Sequence, residues 1–214
     1  MDSLAAIFVT SFMVALSGAL MPGPVLTLTV AESARVGRKA GPLIILGHGL
    51  LELGLLCLLA AGLSGFISSP PVIRMVGAVG GGALALMGIS AIISPASYAE
   101  NSDGRDAGRS DIGLVAAGAV TSVSNPYWLF WWATVGVGYL AMSGRLGPSG
   151  VISFFIGHLL ADLAWYSGIS WLTASGRRFM TRSAYRRVSL ACGIFLVLFG
   201  GWFIYNSALP REVL

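Results

Sequence analysis

Six apolar runs occupy most of the chain: about Leu4 to Ala34, Pro42 to Ser68, Val72 to Ile93, Ile112 to Met142, Val151 to Thr173 and Val188 to Asn206. A helix needs about 20 mainly apolar residues to cross the hydrocarbon core of a bilayer. Backbone inside lipid has no water to bond, so a spanning run must pair its own N–H and C=O groups, which a helix does within one segment. The pattern predicts an all-α integral membrane protein with six transmembrane helices. Only 10% of the 214 residues are charged, against about 25% in soluble domains, and no segment is long and polar enough for an aqueous domain. The N-terminus, MDSLAAIFVTSF, has an acid where a secretion signal carries lysine or arginine, so it reads as a retained first helix.

Lysine and arginine orient the bundle. Arg35, Arg38, Lys39, Arg105, Arg109, Arg177, Arg178, Arg182, Arg186 and Arg187 would share one side, leaving Arg74, Arg145 and Arg211 on the other. Cytoplasmic loops carry the excess of basic residues. That rule makes the richer side cytoplasmic, puts both termini outside, and accounts for a net charge of +4 without nucleic acid. The polar stretch 99–111 is then a cytoplasmic loop between a first half, residues 1–98, and a second, residues 112–214. Cys57 and Cys192 lie in apolar runs, read as small core residues, and define no metal or disulfide framework.

The two halves repeat. Gly47-His48-Gly-Leu-Leu-Glu52 in the second run matches Gly157-His158-Leu-Leu-Ala-Asp162 in the fifth; Gly23-Pro24 in the first matches Asn125-Pro126 in the fourth; and glycines seven apart, Gly81 with Gly88 and Gly193 with Gly200, mark the third and sixth. With three spans per half, the second half enters the membrane in the opposite sense. This is the inverted-repeat construction of secondary transporters, whose binding site lies near mid-membrane between the halves. Gly77-Ala-Val-Gly-Gly81 is also a GxxxG, which permits close helix contact within a subunit or in a homodimer.

Pro22 and Pro24 deprive the first span of backbone partners, and Pro126 does the same in the fourth, so both are expected to be broken helices. Gly23 before Pro24, and Asn125 before Pro126, fit a cap followed by proline at the first helical position. Open N–H groups at Val25, Leu26 and Thr27, and at Tyr127, Trp128 and Leu129, would present a positive helix end suited to a carboxylate. The substrate-binding candidates are thus Pro22, Gly23, Pro24, Thr27, Asn125, Pro126 and Tyr127.

Glu52 and Asp162 fall near the centres of their spans, where an ionised group is costly and marks an ion path or proton relay. Burial favours the neutral acid, which lets it load and release a proton. His48 and His158 each lie four residues earlier, on the same helix face, and can orient the acid or shuttle its proton. The same four side chains can alternatively bind a divalent transition metal, making heavy-metal export the competing reading. Trp128, Trp131 and Trp132 are either cavity-lining or structural. No nucleophile or cofactor motif is present, so an enzyme is not expected.

These residues together resemble the lysine-exporter (LysE/RhtB) family from Ala5 to Tyr205. The carriers are Met21-Pro22-Gly23-Pro24, Ala31, Gly37-Arg38-Lys39-Ala40-Gly41, Gly47 with Glu52, Asn125-Pro126 and Asp162. The resemblance implies proton-driven efflux of small amino acids or related metabolites across a prokaryotic cytoplasmic membrane, without cofactors. Departures are Glu52 where an aspartate is common, Tyr127 where lysine often follows the NP pair, and the two histidines.

Overall fold

The computed structural model describes residues 3–63, 69–93, 109–176 and 182–208, and every regular element among them is helical. Helix α1 (Leu4–Ala19) opens on Ser3, whose side chain accepts the Ala6 N–H. The chain cannot continue that helix through Pro22 and Pro24. Helix α2 (Pro24–Val36) sets off at 76° to α1, with Gly23 as its cap and proline in its first turn, a place where the missing N–H loses no bond.

Gly37 turns α2 into α3 (Ala40–Leu58) at φ +88°, ψ −158°. That combination is open essentially to glycine alone. Gly37→Ala is therefore expected to cost about 1–3 kcal/mol, read as a lower thermal midpoint of the purified protein in detergent.

A π turn (Leu59–Leu63) ends α3, and α4 spans Pro70–Ile93. Helix α5 (Asp111–Val123) is capped by Ser110, which accepts the Gly113 N–H. It stops before Asn125, and α6 (Pro126–Trp131) leads through a π turn (Trp132–Gly136) to α7 (Val137–Ser143). Helices α8 (Gly147–Ser175) and α9 (Arg182–Ala208) complete the order.

Among the described residues three stretches are long and apolar enough to cross a membrane: Ala40–Gly62, Pro70–Ser90 and Tyr127–Ser175. The bent pair α1 and α2 makes a fourth when counted as one span. The expected fourth run is divided at Ser124 and Asn125, so its first part, α5, has 13 residues and is too short to cross alone. In α9 the apolar part among the described residues is Gly193–Ala208, and Arg182, Arg186 and Arg187 occupy its first turns. The loop expected over 99–111 lies outside the described residues up to position 108, as do Arg105, Arg177, Arg178 and Arg211.

Helix α1 packs on α8, α3 on α5, and α4 on α9, while α8 also touches α3 and α2. Glycines make these approaches close. Gly47 of α3 lies on the Val115 carbonyl of α5, Gly118 of α5 on the Ile44 carbonyl of α3, and Gly157 of α8 on the Phe8 carbonyl of α1. Gly81 and Gly88 meet the carbonyls of Gly200 and Gly193 across the α4–α9 contact. Lipid supplies no hydrophobic drive for helices to associate, so close contact of small residues takes over that work. The Gly77–Gly81 face is thus occupied within the chain: Gly77 meets Ser207 and Gly81 meets Gly200.

Leu46, Leu50 and Leu53 of α3 and Val79 and Leu86 of α4 are exposed, an apolar outer surface suited to lipid. Cys57 shares that outer surface, against the expectation of a core position, because it lies one residue past the buried pair Leu55 and Leu56. The side chain of Cys192 lies outside the described residues.

Candidate functional site

Helical spacing carries His48 and Glu52 one turn apart on α3, and His158 and Asp162 one turn apart on α8. Where the two helices touch, these four side chains converge, each at most 9% exposed. His158 Nε2 lies 3.0 Å from Glu52 Oε2 and 3.5 Å from Asp162 Oδ2. His48 Nε2 lies 3.1 Å from Glu52 Oε1 and 3.6 Å from Asp162 Oδ2.

Glu52 is held from a third side. The indole N–H groups of Trp128 and Trp132 donate to its Oε1 at 3.1 and 2.8 Å. An indole only donates, so this oxygen is an acceptor, as in a carboxylate. Trp131 and Trp132 also pack against the His158 ring, with centroids at 4.8 and 5.7 Å.

The His48 tautomer follows from the hydrogen-bond chain. Ser122 Oγ has one proton and donates it to the Gly118 carbonyl at 2.8 Å. Its oxygen must then accept from His48 Nδ1–H, at 2.7 Å. The nitrogen facing the acids is therefore Nε2, which donates to Glu52 as imidazolium and presents a lone pair when neutral. His158 Nδ1 is buried and makes no hydrogen bond, and the same holds for Asp162 Oδ2.

The cluster forms one wall of a cavity of about 70 Å³. Asn125 and Tyr127 line another wall, and so do Val25 of α2 and Tyr166, one helical turn after Asp162. Pro22, Gly23 and Pro24 line an adjoining cavity of about 40 Å³ that shares Gly18, Asn125, Tyr127 and Tyr166 with the first. The two broken ends thus lie around adjoining cavities. Thr27 is turned away from that use: its hydroxyl donates to the Gly23 carbonyl at 3.1 Å.

Some N–H groups expected to be open are already used. The Tyr127 N–H donates to Asn125 Oδ1 at 3.1 Å, the Trp128 N–H to the Asn125 carbonyl at 3.1 Å, and the Thr27 N–H to the Gly23 carbonyl at 3.0 Å. Asn125 caps its own helix, which explains the asparagine and reduces the anion-binding capacity of α6. At α2 the cap is Gly23, with no side chain to offer, so the Val25 and Leu26 N–H groups have no partner within the helix. Pro126 starts α6.

Sequence reading missed Ser122, Tyr166 and Glu32. Tyr166 was findable by extending the helical spacing from Asp162, and Ser122 by stepping one turn back from the Asn125 cap. Glu32 is buried near the basic end of the bundle, 3.5 Å from Arg109 Nε. Nearby, Ser33 and Ser170 share a hydroxyl bond of 2.7 Å, and Ser170 accepts the Gly41 N–H and donates to the Arg38 carbonyl, each at 3.0 Å. Lys39 pairs with Asp111 at 2.5 Å. Both partners are more than half exposed, so Asp111→Asn is expected to change stability by no more than about 1 kcal/mol, checked by thermal denaturation in detergent.

A model of the LysE type translocator family matches residues 16–207. No curated relative and no solved structure matches the chain.

Proposed function

The chain belongs to the LysE type translocator family, a family of membrane translocators, and from that premise we propose that it exports amino acids or related small metabolites in exchange for protons. The observation that carries this reading is the buried quartet of His48, Glu52, His158 and Asp162 on the wall of a cavity bounded by two helix breaks.

In this reading the substrate carboxylate approaches the open Val25 and Leu26 N–H groups beside Gly23-Pro24, where the positive end of α2 favours an anion. Asn125 and Tyr127 bound it from the other half, and its amine faces Asp162. Glu52 and Asp162 hold protons or neutralise the amine, with His48 and His158 passing protons between them.

Alternating access would come from two inverted three-helix halves, residues 1–98 and 112–214, joined by a cytoplasmic loop over 99–111. Matched packing supports this. Gly47 brings α3 onto α5 as Gly157 brings α8 onto α1, and α4 and α9 pair through corresponding glycines. Positive-inside counting then puts both termini outside the cytoplasmic membrane of a prokaryote.

The test is transport by purified protein in liposomes under an imposed pH gradient, offered a panel of labelled amino acids. Gradient-dependent movement of at least one, abolished by a protonophore, is the expected result. A panel that never moves above protein-free liposomes overturns the reading.

A further inference from the structure

We propose that His48, Glu52, His158 and Asp162 form a binding site for one divalent transition-metal cation of the zinc, cobalt or nickel type. The inference deepens the reading above and rests on it for the access of water to the cavity.

Geometry is the first support. A tetrahedral ion held at about 2.0–2.2 Å by nitrogen and oxygen keeps neighbouring donor atoms about 3.3–3.6 Å apart. Here His158 Nε2 lies 3.0 Å from Glu52 Oε2, the Nε2 atoms of His158 and His48 lie 3.5 and 3.6 Å from Asp162 Oδ2, and one donor atom from each of the four residues lies within 4.8 Å of the others. Each helix therefore supplies one nitrogen and one oxygen ligand to a common centre.

Second, the ligand atoms are turned the right way. Ser122 consumes the Nδ1–H of His48, which leaves Nε2 to offer its lone pair toward the acids. This is the outer partner that metal-binding histidines characteristically have. Asp162 Oδ2 is buried without a hydrogen bond, and its nearest donors are the same two Nε2 atoms. Trp128 and Trp132 hold Glu52 by Oε1, leaving Oε2 free of indole contacts.

Third, the donor set selects the ion. Two imidazoles and two carboxylates suit the borderline divalent ions. Calcium and magnesium want six or more oxygens and fit such a set poorly.

The experiment uses the full chain in detergent without a polyhistidine tag, titrated with Co²⁺ and followed by visible absorption. Saturation at one cobalt per chain, displacement by Zn²⁺ but not by Mg²⁺, and loss of the signal in His158→Asn are expected. Ser122→Ala keeps all four ligands and should weaken binding about 10–100-fold through loss of the outer partner. A folded wild-type protein without a saturable cobalt signal overturns the proposal, as does an equal signal in His158→Asn. Should His158→Asn fail to fold, unchanged cobalt affinity in Ser122→Ala overturns it instead. Labelled amino-acid flux, run in parallel with a chelator present, separates the two readings. Flux without cobalt binding defeats the metal site alone, and cobalt binding without flux defeats amino-acid export alone.

Discussion

Glu52→Gln is expected to reduce pH-gradient-driven efflux about 10²–10⁴-fold, the range for losing a positioned proton-transfer group, because an amide at this place cannot take up the proton. The same change removes one charge from a buried set of opposite charges, which costs about 3–5 kcal/mol of folding stability, so the fold of the variant is checked beside its transport. Glutamine keeps the shape and one acceptor oxygen, so Trp128 and Trp132 retain their hydrogen-bond partner. What it loses is the anionic oxygen 3.0 Å from His158 Nε2, where an amide NH₂ cannot exchange a proton at neutral pH. The measurement is initial efflux from proteoliposomes, with Asp111→Asn as the control, since that acid pairs with Lys39 on the surface. Substrate exchange with no imposed gradient supplies a second readout. Exchange that survives while gradient-driven efflux disappears assigns the proton to Glu52. Gradient-driven efflux at the wild-type rate in a folded Glu52→Gln protein would end the coupling role.

Much of this site was legible because mid-span acids and histidines are rare enough to stand out. The repeat of Gly-His followed by an acid marked His48 and Glu52 on one run and His158 and Asp162 on another, and the structure brings all four together. The proline pairs marked the helix breaks, and the 76° turn between α1 and α2 is their result. What composition could not reveal was how much of each broken end is already satisfied. Asn125 spends its side chain on the Tyr127 N–H, a bond that depends on side-chain rotation rather than residue spacing. Helical spacing places Ser122 one turn before Asn125, but its bond to His48 depends on side-chain rotation in the same way. A serine in an apolar helix usually bonds to a carbonyl four residues back, and this one does so with Gly118 while also accepting from His48. The division of the fourth run at Ser124 and Asn125 falls where Asn125-Pro126 marked it, and it leaves α5 only 13 residues.

Gly47→Ala is expected to destabilise the protein by at least about 1–3 kcal/mol, the range for forcing one extra carbon into a packed contact. The new Cβ would fall on the Val115 carbonyl of α5, and a backbone group cannot rotate aside as a side-chain tip would. Relief requires α3 and α5 to separate. Gly118 on the opposite helix already touches the Ile44 carbonyl, so both surfaces are closed at this crossing. Separation would carry His48 away from Ser122, whose 2.7 Å bond spans the same two helices. Stability and site geometry therefore fall together. Gly54→Ala on the same helix is the matched control, because nothing lies within 4 Å of its new Cβ and alanine favours the helix by about 1 kcal/mol. Thermal unfolding in detergent should lower the midpoint of Gly47→Ala by several degrees and leave Gly54→Ala at or above wild type. Equal midpoints for the two variants would mean that the α3–α5 crossing is looser than its carbonyl contacts imply. The hydrogen bond that orients His48 would then need another source of rigidity.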